Sequence, residues 1–172
     1  MTPSASESRS WVAICAFLVA VFATGGASAQ AELSNRLIGF LPKPLPGWRA
    51  GPTDVITKPG GELFVRRHYL RSNNSLILMI QKSDRMPQGD PRKAVQTDPY
   101  LRRAGARIFM IKGRPAILMR FGGFRQGTIT VNRKIMVMAM GRPGLGAPGL
   151  AQWHTVIQYL RSMNLDGLAS VR

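Results

Sequence analysis

The chain is expected to fold as an α+β domain: an antiparallel β-sheet flanked by helices, with a C-terminal amphipathic helix packed on the sheet. Three observations predict this. Residues 62–71 alternate along a strand-length run, and Leu76-Ile-Leu-Met-Ile80 is apolar at every position, as a strand covered on both faces requires. Turn signals, Asn73-Asn74 and Lys112-Gly113-Arg114, separate strand-like runs at hairpin spacing. Near the end, Trp153, Val156, Ile157, Leu160 and Met163 recur at helical spacing, the apolar stripe of a helix lying on a sheet.

Taken in order, the chain opens on a leader. Arg9 precedes an apolar run over residues 11–24, and Gly25-Gly26-Ala27-Ser28-Ala29 follows before Gln30. A positive start, an apolar middle and an Ala-x-Ala end are the pattern of a secretory signal peptide, so residues 1–29 are assigned to it. The run is shorter than the roughly 20 residues a spanning helix needs. A retained anchor is the alternative. Cys15 follows the bulky Ile14, unlike the small residue of lipoprotein signals, and as the only cysteine it lies within the leader. The processed chain then has no disulfide and relies on its core. A domain of about 150 residues buries about 68–70% of its unfolded surface, enough for one unstapled core.

Residues 30–61 read as an N-terminal segment and Pro/Gly-rich lead-in. A short helix or ordered stretch is expected over 31–40, then a break at Pro42, Pro44 and Pro46, which fix φ and remove donors. Arg49 to Gly61 reads mostly as loop, with a short strand at Asp54–Thr57 as the alternative. The domain core is placed at 62–168 and a tail at 169–172. After the two strands, Asp90-Pro91 and Asp98-Pro99 each carry an N-cap and a first-position proline. Pro99 clashes with a continuous helix, so two short pieces or a kink are expected. Gly105 suits a left-handed cap. Ala106–Ile111 and Pro115–Phe121 form a second hairpin, Gly122-Gly123 bends the chain, and Thr128–Val131 and Lys134–Met140 are further strand with a turn at Asn132-Arg133. A Gly/Pro loop over 141–149 leads into the helix at Leu150–Met163.

This order of elements, with Leu45-Pro-Gly-Trp48 near the start, Tyr69 on an early strand, Lys112-Gly-Arg-Pro-Ala116 between strands and a close near Asn164-Leu165, resembles the PsbP-like fold. It is most similar to small exported bacterial proteins of the DcrB-like kind, over most of residues 40–168. The resemblance implies an accessory or binding role without a shared catalytic centre. It supplies no functional residue to carry over.

Charge bounds the partners. Lys and Arg number 24 against 8 Asp and Glu, a net +16 that loss of Arg9 and Glu7 with the leader leaves unchanged. Inside a cell such a charge suggests nucleic acid. Export moves the partner to an anionic envelope surface (lipid head groups, phosphorylated glycans) or an acidic protein, with no nucleic acid and no membrane span after processing. A merely solvated surface is the plain alternative. Arginine outnumbers lysine 18 to 6, and its planar fork suits phosphate and carboxylate. Candidate anion-binding residues are Arg66, Arg67, Arg71, Arg102 and Arg103. The last two cluster in sequence with Arg107. Arg114 with Arg120 and Arg125, and Arg133-Lys134, are further basic clusters. Trp48 and Tyr100 are expected in the core, with a place flanking a basic patch as the alternative.

No catalytic centre or cofactor motif is legible. His68 and His154 have no ligand partners at zinc spacing. No Gly-x-Ser-x-Gly elbow is present. Asp90 and Asp98 are better used as caps than as an acid–base pair. Met136, Met138 and Met140 alternate on one strand and share a face. Core packing is the first reading of these thioethers, and a Cu(I) site the alternative. The functional expectation is an exported, non-catalytic accessory or binding protein. The runner-up is a small-molecule or Cu(I) carrier, followed by an enzyme with an unrecognised site.

Intact-mass measurement of the protein from the cell envelope should give a chain beginning at Gln30. Recovery of the 172-residue chain in the membrane fraction would contradict this.

Overall fold

The computed structural model describes residues 28–72, 74–86, 89–142 and 149–171. Most of the expected leader lies outside them. The chain divides into two compact units, residues 1–36 and 37–172. In the first, the described residues are helical and belong to α1 (residues 28–39), within which Ser34 Oγ donates to the Gln30 carbonyl at 2.8 Å. The Ala29–Gln30 junction lies within this helix.

The second unit is built on a seven-stranded antiparallel sheet. Its strands are β1 (Arg49–Lys58), β2 (Glu62–Arg71), β3 (Asn74–Lys82), β4 (Arg107–Ile111), β5 (Arg114–Phe121), β6 (Phe124–Thr130) and β7 (Ile135–Arg142). The spatial order is β1-β2-β3-β7-β6-β5-β4. Two meanders therefore meet at the β3–β7 seam, and the chain crosses once to the far edge. That crossing carries α2 (Pro91–Thr97) and α3 (Pro99–Arg103), and α2 packs against β4 and β5. The C-terminal helix α4 (Gly149–Ser162) lies on β7, β6 and β4, and α5 (Leu165–Ala169) follows. The α+β class and the sheet-packed C-terminal helix are as the sequence predicts.

Several elements match their local signals. β2 has the expected bounds. The two Asp-Pro signals give two separate helices. Asp90 accepts from Arg92 N at 2.9 Å, and Asp98 accepts from Tyr100 N and Leu101 N. Gly105 adopts φ +62 after α3. Lys112 and Gly113, at φ 49 and 73, make the two-residue hairpin loop between β4 and β5. The Lys112 ammonium donates to the Met163 carbonyl at 2.8 Å, which offsets part of the cost of a left-handed lysine.

Others differ. Arg49–Lys58 is a full edge strand rather than mostly loop. A register shift between Ala50 and Thr53 takes up Gly51 and Pro52, as bulges on edges allow. The β2–β3 turn sits earlier than Asn73-Asn74: Ser72 takes φ 48, and Asn74 already pairs with Arg71. Gly122-Gly123 is a hairpin loop rather than a bend, because Phe121 pairs with Phe124, so β6 begins at Phe124. The Gly/Pro loop over 143–148 lies outside the described residues. Val171, assigned to the tail, is 2% exposed.

Alternation divides the sheet. One face carries Leu63, Val65, Tyr69, Leu76, Leu78, Ile80, Ala116, Ile129, Ile135, Val137 and Ala139, all buried. Val156, Tyr159, Leu160 and Met163, in and just after α4, close over it. Gly127 permits the contact: a Cβ there would lie 2.7 Å from Leu160 Cδ1, 2.9 Å from Val156 Cγ1 and 3.0 Å from Leu118 Cδ2. Tyr159, absent from the expected apolar stripe, is its centre. Its ring lies 4.5 Å from that of Tyr69 and 5.6 Å, edge-on, from that of Trp48. Tyr69 Oη donates to the Pro42 carbonyl at 2.8 Å, and Tyr159 Oη accepts from Leu45 N at 3.4 Å. The proline-rich lead-in is thereby tied to the core.

Gly127→Ala should lower stability by about 1–3 kcal/mol through overpacking, although Gly→Ala in an open strand normally helps. A lower urea midpoint at unchanged slope would show this. The tyrosine pair predicts alkaline sensitivity. Burial pushes the Tyr159 phenol up to about 12 and raises that of Tyr69. The folded state therefore favours neutral phenols relative to an unfolded value of about 10. This contribution is complete below pH ~10 and is lost as pH rises through the folded value. Urea midpoints measured across that window should fall, and the fall should be smaller in Tyr159→Phe.

A candidate anion site at the β4–β6 end

The sheet register gathers arginines that the sequence scatters. Arg120 on β5 pairs directly with Arg125 on β6. Arg107 opens β4 opposite Leu118, two residues before Arg120, so it is a diagonal neighbour of Arg120 on the same face. Direct partners have Cβ atoms about 4.5–5.5 Å apart and diagonal ones about 7–8 Å. Beyond β4, Arg120 N donates to the Ala104 carbonyl at 3.2 Å. This brings in the last turn of α3, with Arg102 and Arg103. Arg103, Arg107 and Arg120 are exposed. Tyr100, expected in the core, is 51% exposed and lies three residues before Arg103 on α3.

Among the described residues, Arg107, Arg120 and Arg125 have no ion-pair partner. Like charges directly opposite in a sheet are destabilising. Arg125 is partly accommodated by the Trp153 ring, 5.9 Å below its guanidinium, yet its Nε is buried without a hydrogen-bond partner among the described residues. The carboxylates of this unit have other partners, and Asp98 is used within α3 itself as its N-cap. Asp54 pairs with Arg66 at 2.8 Å, Asp84 with Lys134 at 3.0 Å and Asp166 with Arg114 at 3.1 Å. Asp90 and Asp98 cap helices, and Glu62 accepts from Ser83 Oγ at 3.1 Å. Arginines brought together by register, with no ion-paired acid among the described residues, suit a phosphate or carboxylate, which guanidinium groups bind bidentately.

The other predicted residues fall in different places. Arg66 is tied to Asp54 on one face of β2. Arg67 points to the opposite face and donates to Thr53 Oγ1 at 2.7 Å. Arg71 is exposed at the strand end, its guanidinium lying against Gly47. The trio is not one surface. Arg114 and Arg120 occupy opposite ends of β5, about 20 Å apart at strand rise, so they do not form one cluster. Arg114 instead binds the Val131 carbonyl and Asp166.

His154 is exposed and His68 half-buried. Among the described residues no group of three or more His, Asp or Glu is placed to hold a metal ion. Met136, Met138 and Met140 are half-buried, whereas Ile135, Val137 and Ala139 behind them are fully buried. Among the described residues no helix is long and apolar enough to cross a membrane. No protein-family model matches the chain, and no curated protein or solved structure matches it.

Proposed function

We propose that the protein is an exported accessory module, without a catalytic centre, that docks on an anionic envelope surface through Arg102, Arg103, Arg107, Arg120 and Arg125. The observation that supports this reading is the direct Arg120–Arg125 pair, held in register with no carboxylate paired to it among the described residues. A fold gains nothing from such a pair alone. An external phosphate or carboxylate would convert the repulsion into charge-assisted hydrogen bonds. The leader pattern supports a location outside the cytoplasm, where lipid head groups and phosphorylated glycans supply those anions. The PsbP-like resemblance supports an accessory role.

Co-sedimentation with anionic vesicles tests the reading. Each basic residue near such a surface contributes about 1 kcal/mol, so Arg107→Ala/Arg120→Ala should weaken binding roughly tenfold or more. Both positions are exposed, so the fold should survive. Raised salt should weaken wild-type binding in the same direction. Arg67→Ala/Arg71→Ala should have the smaller effect, because Arg67 is held by Thr53 Oγ1 and the Arg71 guanidinium lies against Gly47. Equal binding by wild type and Arg107→Ala/Arg120→Ala, or binding indifferent to salt, would rule out this docking end.

A further inference from the structure

On the sheet face opposite α4, register assembles thioethers from two strands. Met79 on β3 pairs directly with Met138 on β7. Met136 and Met140 flank Met138 at i−2 and i+2, opposite Gln81 and Ile77. All four side chains therefore share one face at the β3–β7 seam, the middle of the sheet. Met79 and Met138 have Cβ atoms about 4.5–5.5 Å apart, and the flanking positions lie about 6.6–6.8 Å along the strand. Three flexible torsions per side chain let the sulfurs converge over that span. All four are half-buried, neither sealed like Val137 behind them nor loose in solvent.

Packing alone asks less of these positions. On the buried face, the neighbouring strand positions are Leu78, Ile80, Val137 and Ala139, the ordinary residues of a central strand. On the other face four methionines adjoin, where β-branched residues would fit a pleated surface better. We infer that Met79, Met136, Met138 and Met140 form a binding site for a soft monovalent cation, Cu(I) or its analogue Ag(I). Neutral thioethers select Cu(I) over the harder divalent metals. Arg66, directly opposite Met79, is paired with Asp54 at 2.8 Å, so it does not repel an incoming ion fully. His68 lies on the same face, opposite Ile77 and diagonal to Met79, and offers an imidazole nearby. No electron transfer is involved: the ion arrives and stays monovalent.

The site and the arginine end occupy opposite faces, so either can fail without the other. The test is titration of the full chain with Cu(I) under ascorbate, competed against a chromophoric Cu(I) chelator. Ag(I) serves as a redox-inert parallel. One equivalent per chain is expected, with X-ray absorption dominated by sulfur scattering. Met79→Leu and Met138→Leu conserve volume and should leave the fold intact while lowering affinity tenfold or more. Met110→Leu, on the exposed far edge, should leave affinity unchanged. Failure to compete with the chelator, or binding that survives both Met79→Leu and Met138→Leu, or equal loss in Met110→Leu, would overturn the assignment.

Discussion

The structure depends on the seating of α4 against bare backbone at Gly127. With no side chain at that point, Val156 and Leu160 descend onto β6, where any Cβ would stand within about 3 Å of both. The other contacts of the helix are arrayed on either side of this one. One turn before Val156, Trp153 is set beneath Arg125. Tyr159 is pushed against Tyr69 and Trp48, where its hydroxyl receives Leu45 N and helps hold the proline-rich lead-in. At the far end, Arg161 stacks over Phe109 on β4. One missing methyl group therefore connects core packing, the docking of the lead-in and the environment of the arginine end.

The legible parts of the fold are those whose cause is local. Asp90 and Asp98 act within two or three residues, so the two helices appear in the sequence with their caps. The alternation of β2 and the continuous apolar run of β3 likewise need no partner to be read. The parts that escaped are those in which tertiary pairing overrides propensity. β1 contains Gly51 and Pro52, which argue against a strand until the register shift beside β2 places them where no ladder bond is required. Gly122-Gly123 reads as a weakness inside one strand, yet pairing of Phe121 with Phe124 makes it a loop between two. Tyr159 was hidden because its hydroxyl marks it as polar, and only the Leu45 amide explains how it is buried.

The candidate sites show the same division. A strand predicts which residues share its own face, so Met136, Met138 and Met140 could be grouped from sequence. Met79 could not, because it joins them only through the β3–β7 register, between segments separated by the whole α2–α3 crossing. The arginines are a stronger case. Alternation within β2 already places Arg66 on the face opposite Arg67 and Arg71, and that much is legible in the sequence. Arg107, Arg120 and Arg125 are distant in sequence and converge.

The placement of acids gives this convergence its meaning. In a chain of +16, carboxylates are scarce, and where each is used shows which cations the fold neutralises. Asp54, Asp84 and Asp166 join strand or loop cations to neighbouring elements, and Asp90 and Asp98 terminate helices. Each of these uses has a local structural benefit. At the β4–β6 end, cross-strand repulsion is greatest because Arg120 and Arg125 are direct partners, and one acid in the register would relieve it. Indole stacking beneath Arg125 supplies only part of that relief, about 0.5–1 kcal/mol for a partly solvated cation, and satisfies no N–H donor. Arg125 Nε therefore stays buried without a hydrogen-bond partner among the described residues, beside a second cation that is its direct cross-strand neighbour.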